Sequence, residues 1–140
     1  VKLIINDNPE IAKETNTDGC HLGQLDVNIL KAKEILKKKI IGVTCHGSIK
    51  LAYKAISDKP SYIAVGSFYK SKLKPNAKKA NIKIIKKIRK KTKVPIVAIG
   101  GINDKNYRML IKNGANYIAL SSFIWNNPFL KPETAIKKFK

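Results

Sequence analysis

A chain of 140 residues has room for one domain with a packed core, burying roughly two thirds of the surface its unfolded form exposes, and two domains are not expected. Its 44% hydrophobic content contains no apolar run near the roughly 18 residues of a membrane span, and VKLIIND at the start lacks a signal peptide's apolar stretch and cleavage site, so a cytoplasmic protein is expected. A net charge of +20 invites a polyanion, but nearly all the cations are lysines spread over every predicted helix with no aromatic stacking pattern among them, so neither nucleic acid nor membrane is expected as a partner.

Short apolar runs alternate with longer lysine-rich amphipathic stretches, the pattern of βα units around a parallel sheet. Six units are predicted. The first strand is KLIIN (2–6), and Asn8-Pro9 marks the start of a helix, with asparagine as cap and proline in the first turn. Gly19 is read as the left-handed cap closing that helix, leading into the strand CHLGQ (20–24). The third strand is IIGVTC (40–45), and Ser48 caps the helix IKLAYKAI that follows. After the fourth strand, SYIAVGS (61–67), comes a longer gap at 68–80, expected to be a functional loop. PIVAIG (95–100) is the fifth strand. Asn103 then precedes the helix DKNYRMLIKNGA, and Gly114 caps it before the sixth strand, YIALSS (117–122).

Most of these strands are continuously apolar, as strands covered on both sides should be. Either an open doubly wound sheet or part of a barrel would accommodate them. A doubly wound dinucleotide fold wants GxGxxG after an early strand, and no such run exists. The paired glycines instead follow the fifth strand, and a serine pair ends the sixth. In a barrel the loops after the last two strands form the usual phosphate site. The expected fold class is therefore α/β, a (β/α)8 TIM barrel of which about six βα units, barrel strands 3 to 8, are present. Residues 1–140 would form a single domain lacking its first two units, and valine at position 1 instead of methionine agrees with this.

Cys20 and Cys45 lie in apolar runs and read as buried free thiols. With His21 and His46 they do not make the paired spacing of a zinc site. Gly100-Gly101 would let backbone N–H groups approach an anion, and Ser121 and Ser122 would add donors from the neighbouring strand end. Asp7 and Asp26 follow two successive strands, on the end where barrel enzymes keep their active sites. As a pair flanked by Asn6 and Gln24 they suit a hard cation such as Mg²⁺, although either could instead cap a helix. Thr44 ends the third strand, where its hydroxyl could meet the same ligand. Lys74, in the loop at 69–75, offers an ammonium to phosphate oxygens.

Taken together, INDN (5–8), DGCHLGQLD (18–26), IIGVTCH (40–46), YIAVGSFY (62–69) and VPIVAIGGI (94–102) resemble thiamine phosphate synthase, in order and over nearly the whole chain. That family joins an aminopyrimidine diphosphate to a thiazole phosphate, giving thiamine phosphate and pyrophosphate. The resemblance implies small phosphorylated substrates, Mg²⁺ as cofactor, and a dissociative route with catalysis by position and charge. It assigns Asn6, Thr44 and Lys74 to the pyrimidine diphosphate, with Thr44 and Lys74 catalytic, and Asp7 and Asp26 to the metal. Gly101, Ser121 and Ser122 would bind the thiazole phosphate, joined by Ser71, Lys72 and Leu73 of the long loop.

The chain departs from the family's pattern at several points. Leu73 stands in place of a threonine, Lys70 in place of a proline, and the family's Gln-Leu-Arg-x-Lys segment does not occur. Two other readings stay open. One is the thiazole tautomerase of the same barrel, for which His46 would transfer protons. The other is a non-catalytic basic binding protein derived from the barrel. The resemblance also leaves room for a homo-oligomer.

Overall fold

The computed structural model describes residues 1–70 and 78–139. Its six strands are β1 (Ile4–Asn6), β2 (Gly19–Leu22), β3 (Ile40–Thr44), β4 (Tyr62–Gly66), β5 (Ile96–Ile99) and β6 (Tyr117–Ala119). They form one sheet in the order β1-β2-β3-β4-β5-β6, and every neighbouring pair is parallel. The helices are α1 (Pro9–Glu14), α2 (Ile29–Leu36), α3 (Ile49–Ser57), α4 (Lys83–Arg89), α5 (Tyr107–Lys112), α6 (Ser122–Trp125) and α7 (Pro132–Ile136).

Strand order decides between the two architectures. Parallel crossovers are right-handed, so a sheet that never reverses its winding carries all its crossover helices on one face. A doubly wound sheet would reverse at a switch point. The result is a singly wound, curled half-barrel with a helix-covered outer face and a concave inner one. Side chains alternate accordingly. Cys20, Leu22, Ile41, Val43, Ile63, Val65, Ile96 and Ala98 are buried under the helices. Ile85, Ile88 and Leu110 meet them from the helix side without measurable exposure. Each such side chain contributes roughly 1.5–3 kcal/mol by leaving water.

Local chemistry sets most element starts. Asn8 Oδ1 accepts from the backbone N–H groups of Glu10 and Ile11 at 3.0 and 3.1 Å, with Pro9 in the first turn of α1. Ser48 Oγ accepts from Leu51 N–H at 3.2 Å to start α3. Asn103 behaves differently from expectation: it accepts from Lys105 and Asn106 N–H in a turn, and α5 begins only at Tyr107.

Gly19 is also not a left-handed cap. It opens β2, and Asn16 supplies the positive φ, 51°, that ends the preceding helix. Glycine is required at 19 because a Cβ there would collide with the Ile40 carbonyl of the neighbouring strand. Gly114 does adopt the expected left-handed conformation, at φ 106°. β6 stops at Ala119, so Ser121 and Ser122 belong to the start of α6 and do not end a strand. No helix among the described residues is long and apolar enough to cross a membrane.

Candidate active site

β1, β2 and β3 end on the same rim of the half-barrel and bring together residues that are far apart in sequence. Asp7 follows β1 with φ 68°, and its N–H donates to the His21 carbonyl of β2 at 2.7 Å. Asp26 folds back on the same strand end, where its Oδ2 accepts from Gly23 N–H at 2.6 Å. Asp7 is thus anchored to the segment 21–23 through its backbone and Asp26 through its carboxylate, and neither caps a helix: Asn8 and Asn28 cap α1 and α2. Asp7 is exposed and Asp26 half-buried.

Below them, on the concave face, one row runs across four strands. The register pairs Asn6 with His21, His21 with Gly42, and Gly42 with Tyr62. Gly42 leaves the slot in this row empty, and the Tyr62 ring crosses it to stack on His21, with centroids 5.5 Å apart and planes 21° from parallel. His21 Nδ1 lies 2.9 Å from Tyr62 Oη, and Nε2 lies 2.8 Å from Thr44 Oγ1. The Thr44 carbonyl in turn accepts from the Gln24 side-chain amide. Burial lowers the His21 pKa from its ordinary value, against an opposing pull from the Asp7 and Asp26 charges, and burial raises that of Tyr62.

The two metal candidates pass a chemical test of fit. Among the described residues no cluster of three or more His, Cys, Asp or Glu side chains could hold a metal ion. Mg²⁺ needs no such cluster, because it keeps several waters and binds through one or two carboxylates together with substrate phosphates. An exposed and a half-buried carboxylate on one strand end match that demand.

On the β5–β6 side of the same rim, Gly100 and Gly101 adopt φ 102° and 61°. Their lack of Cβ atoms has a packing cause. A Cβ on Gly100 would strike the Ser67 side chain, and one on Gly101 would strike the Lys70 and Tyr69 carbonyls. The loop after β4 therefore rests directly on the loop after β5, where Tyr69 N–H also donates to the Gly100 carbonyl at 3.0 Å. Beside this junction is a cleft of about 420 Å³, bordered by Lys70, Gly101, Asn103, Ser122, Phe123 and Phe129. Ser122 lines it, whereas the Ser121 side chain is exposed and its carbonyl accepts from Ile124 and Trp125 N–H. A second cleft, about 430 Å³, lies at the opposite end of the strands around Lys2, Asp18 and Lys39. Lys39 is engaged there by Asn16 Oδ1 and the Thr17 carbonyl, at 2.8 and 2.6 Å.

Of the residues singled out from sequence, Asn6, Asp7, Asp26 and Thr44 share one side of the rim, and Gly101 and Ser122 the other. Ser71, Lys72, Leu73 and Lys74 lie outside the described residues. His46 is exposed just beyond β3, with φ 48° and its carbonyl accepting from Gly66 N–H. His21 and Tyr62 were not foreseen as site residues. The available signal was Gly42, a glycine inside a strand, which commonly marks the close approach of another group.

A family model described as "Thiamine monophosphate synthase" matches residues 1–124. The thiamine-phosphate synthase of Pelagibacter ubique is 54% identical over 140 residues, which are all of this chain and 68% of that protein. That of Saccharophagus degradans is 45% identical over 120 residues, covering 85% of this chain and 55% of the relative. Among solved structures, a thiamine phosphate pyrophosphorylase from Pyrococcus furiosus superposes with a TM-score of 0.86 at 30% identity, over 97% of this chain and 64% of that one. The chain thus spans between about half and two thirds of the length of these relatives. On the strength of the family match and the whole-chain identity, it belongs to the thiamine monophosphate synthase family.

Proposed function

We propose that the protein is a Mg²⁺-dependent transferase that joins an aminopyrimidine diphosphate to a thiazole phosphate, forming thiamine phosphate and releasing pyrophosphate. The observation that carries this reading is the anchoring of Asp7 and Asp26 to one strand end, beside Thr44 and on the rim shared with the Gly101–Ser122 cleft. The names of the relatives support the same reaction. Asn6 and Thr44 would contact the diphosphate substrate, with Lys74 as the cation that assists its departure. Gly101, Ser121 and Ser122, with Ser71, Lys72 and Leu73, would take the thiazole phosphate. Leu73 offers no hydroxyl, so the phosphate grip would lean on Ser71 and the backbone.

Asp7 and Asp26 are the residues that would hold Mg²⁺, which when bound would offset the diphosphate charge. The carboxylates' task is to orient the ligand, and Thr44 adds a hydrogen bond at the same place. The strands are proposed to correspond to strands 3 to 8 of a complete (β/α)8 barrel, a reading supported by the share of each relative covered. A cytoplasmic location is supported by two buried free thiols.

The test supplies full-length protein with both phosphorylated substrates and Mg²⁺, following thiamine phosphate and pyrophosphate together. Equal formation of the two products is expected. Neither product from a folded, full-length protein would overturn the reading. The relatives' names favour it over an isomerase or a non-catalytic protein.

A further inference from the structure

His21 uses both ring nitrogens, and this couples Tyr62 to Thr44 across two strands. A neutral imidazole has one N–H and one lone pair, so its two hydrogen bonds cannot be chosen independently. In one arrangement Tyr62 donates to Nδ1, Nε2–H donates to Thr44 Oγ1, and the Thr44 proton remains free for a third group. In the other, Nδ1–H donates to Tyr62 Oη and Thr44 spends its only proton on Nε2. The Tyr62 proton then needs another acceptor, and among the described residues His21 is the one hydrogen-bond partner of that oxygen. The half-buried phenol would be left with an unmatched donor, which costs free energy.

We propose that Tyr62 and His21 are positioning residues that hold the Thr44 hydroxyl as a hydrogen-bond donor toward the anionic oxygens of a diphosphate. The direction of the chain runs from Tyr62 Oη to His21 Nδ1, from Nε2–H to Thr44 Oγ1, and from the Thr44 proton to the ligand. Anionic oxygens only accept, so the reverse polarity would present them with a hydroxyl that has nothing left to donate. Gly42 makes the arrangement possible, because any side chain there would fill the path of the Tyr62 ring. The choice of ligand rests on the proposed function, whereas the polarity rests on the hydrogen bonds alone.

Two measurements test it. In ¹⁵N-labelled full-length protein, the imidazole resonances of His21 should report the neutral Nε2–H tautomer; the Nδ1–H tautomer would overturn the relay. Binding of inorganic pyrophosphate with Mg²⁺ should then weaken by about tenfold in Thr44→Val and in His21→Phe, with the double variant no worse than Thr44→Val alone. Losses that multiply in the double variant would refute the coupling. Tyr62→Phe, which keeps the ring but not the hydroxyl, should raise the Nδ1–H population and weaken binding less than His21→Phe. An unchanged tautomer and unchanged binding would count against Tyr62 as the donor, and this variant decides the matter if His21→Phe does not fold. If wild-type protein binds pyrophosphate in this way yet forms no thiamine phosphate, the reaction assignment fails while the relay stands.

Discussion

The ring of Tyr62 occupies the space that a side chain at Gly42 would need, with Cζ and Oη both too close to where a Cβ would sit. Gly42→Ala should therefore push the ring off His21 before it disturbs the backbone. The expected cost is about 1–3 kcal/mol, typical of an added methyl group that forces neighbours aside. Chemical denaturation of Gly42→Ala, alone and with Tyr62→Ala, checks this. The loss should shrink in the double variant, and an equal loss in both backgrounds would rule out the ring as the obstacle.

Asp26 has two tasks that substitution can separate. Its Oδ2 holds Gly23 N–H, and its charge faces the proposed cation. Asp26→Asn keeps an oxygen for the amide, so stability should hold while the Mg²⁺ concentration needed for half-maximal turnover rises at least about tenfold. Asp26→Ala should lose both. Turnover measured against Mg²⁺, alongside thermal melts, would distinguish them, and an unshifted Mg²⁺ dependence in Asp26→Asn would exclude the metal role.

At the other end of the strands, Lys2 Nζ lies 2.8 Å from Asp18 Oδ1, and Leu3 N–H donates to Asp18 Oδ2 at 2.8 Å. The hydrogen bond from Lys2 and that from Leu3 hold the Asp18 carboxyl below its ordinary pKa of 3.8. A carboxyl depressed in the folded state contributes stability that is complete above its unfolded value and is lost as pH falls through the folded one. Asp18→Asn should thus flatten the acid limb of the stability profile below about pH 4 by lowering stability slightly in the neutral region while leaving the acid end little changed. Denaturation midpoints across that range provide the measurement, and an acid limb of unaltered slope would dismiss the contribution.

Cys45 is fully buried, and burial pushes its thiol up to about 12. At pH 8 only about one thiol in ten thousand would be ionised, and the thiolate is the reactive form. Iodoacetamide should label Cys45 only as fast as the structure opens, with the rate rising in step with denaturant. Rapid labelling of the native protein, located by peptide mass, would contradict this.

How much was legible in advance depended on whether a residue's reason was local. The apolar β-branched run Ile40–Ile41 and the caps Asn8 and Ser48 carry their explanation in a few neighbouring residues, and their elements were found where expected. Gly19 and Gly42 carry theirs on the next strand, in the Ile40 carbonyl and the Tyr62 ring, which no local pattern reveals. Asn103 and Asn106 are chemically equivalent as caps, and only the hydrogen bonds tell which residue precedes the helix. In the site, Asp7 and Asp26 stood out as acids just past the ends of two successive strands, but His21 became meaningful only through register. Gly100-Gly101 shows the converse: the pair looked like an anion grip, and the structure adds that two loops could not pack without it.

The unreversed strand order has a consequence for how the molecule breathes. In a polypeptide of residues 1–140 each strand is hydrogen-bonded only to its immediate neighbours in sequence order, so its sheet behaves as a linear stack. Fraying at β1 or β6 breaks one ladder, whereas opening β3 or β4 must break two. Amide hydrogen exchange should therefore be slowest at Val43, Ile63 and Val65 and quicken outward toward Ile5 and Ile118. On that gradient Thr44 sits near the slow centre, while Asn6 and Asp7 at β1 and Ser122 next to β6 lie toward its two ends. The firmest part of the rim would then be its middle, at Thr44, with both flanks looser than it.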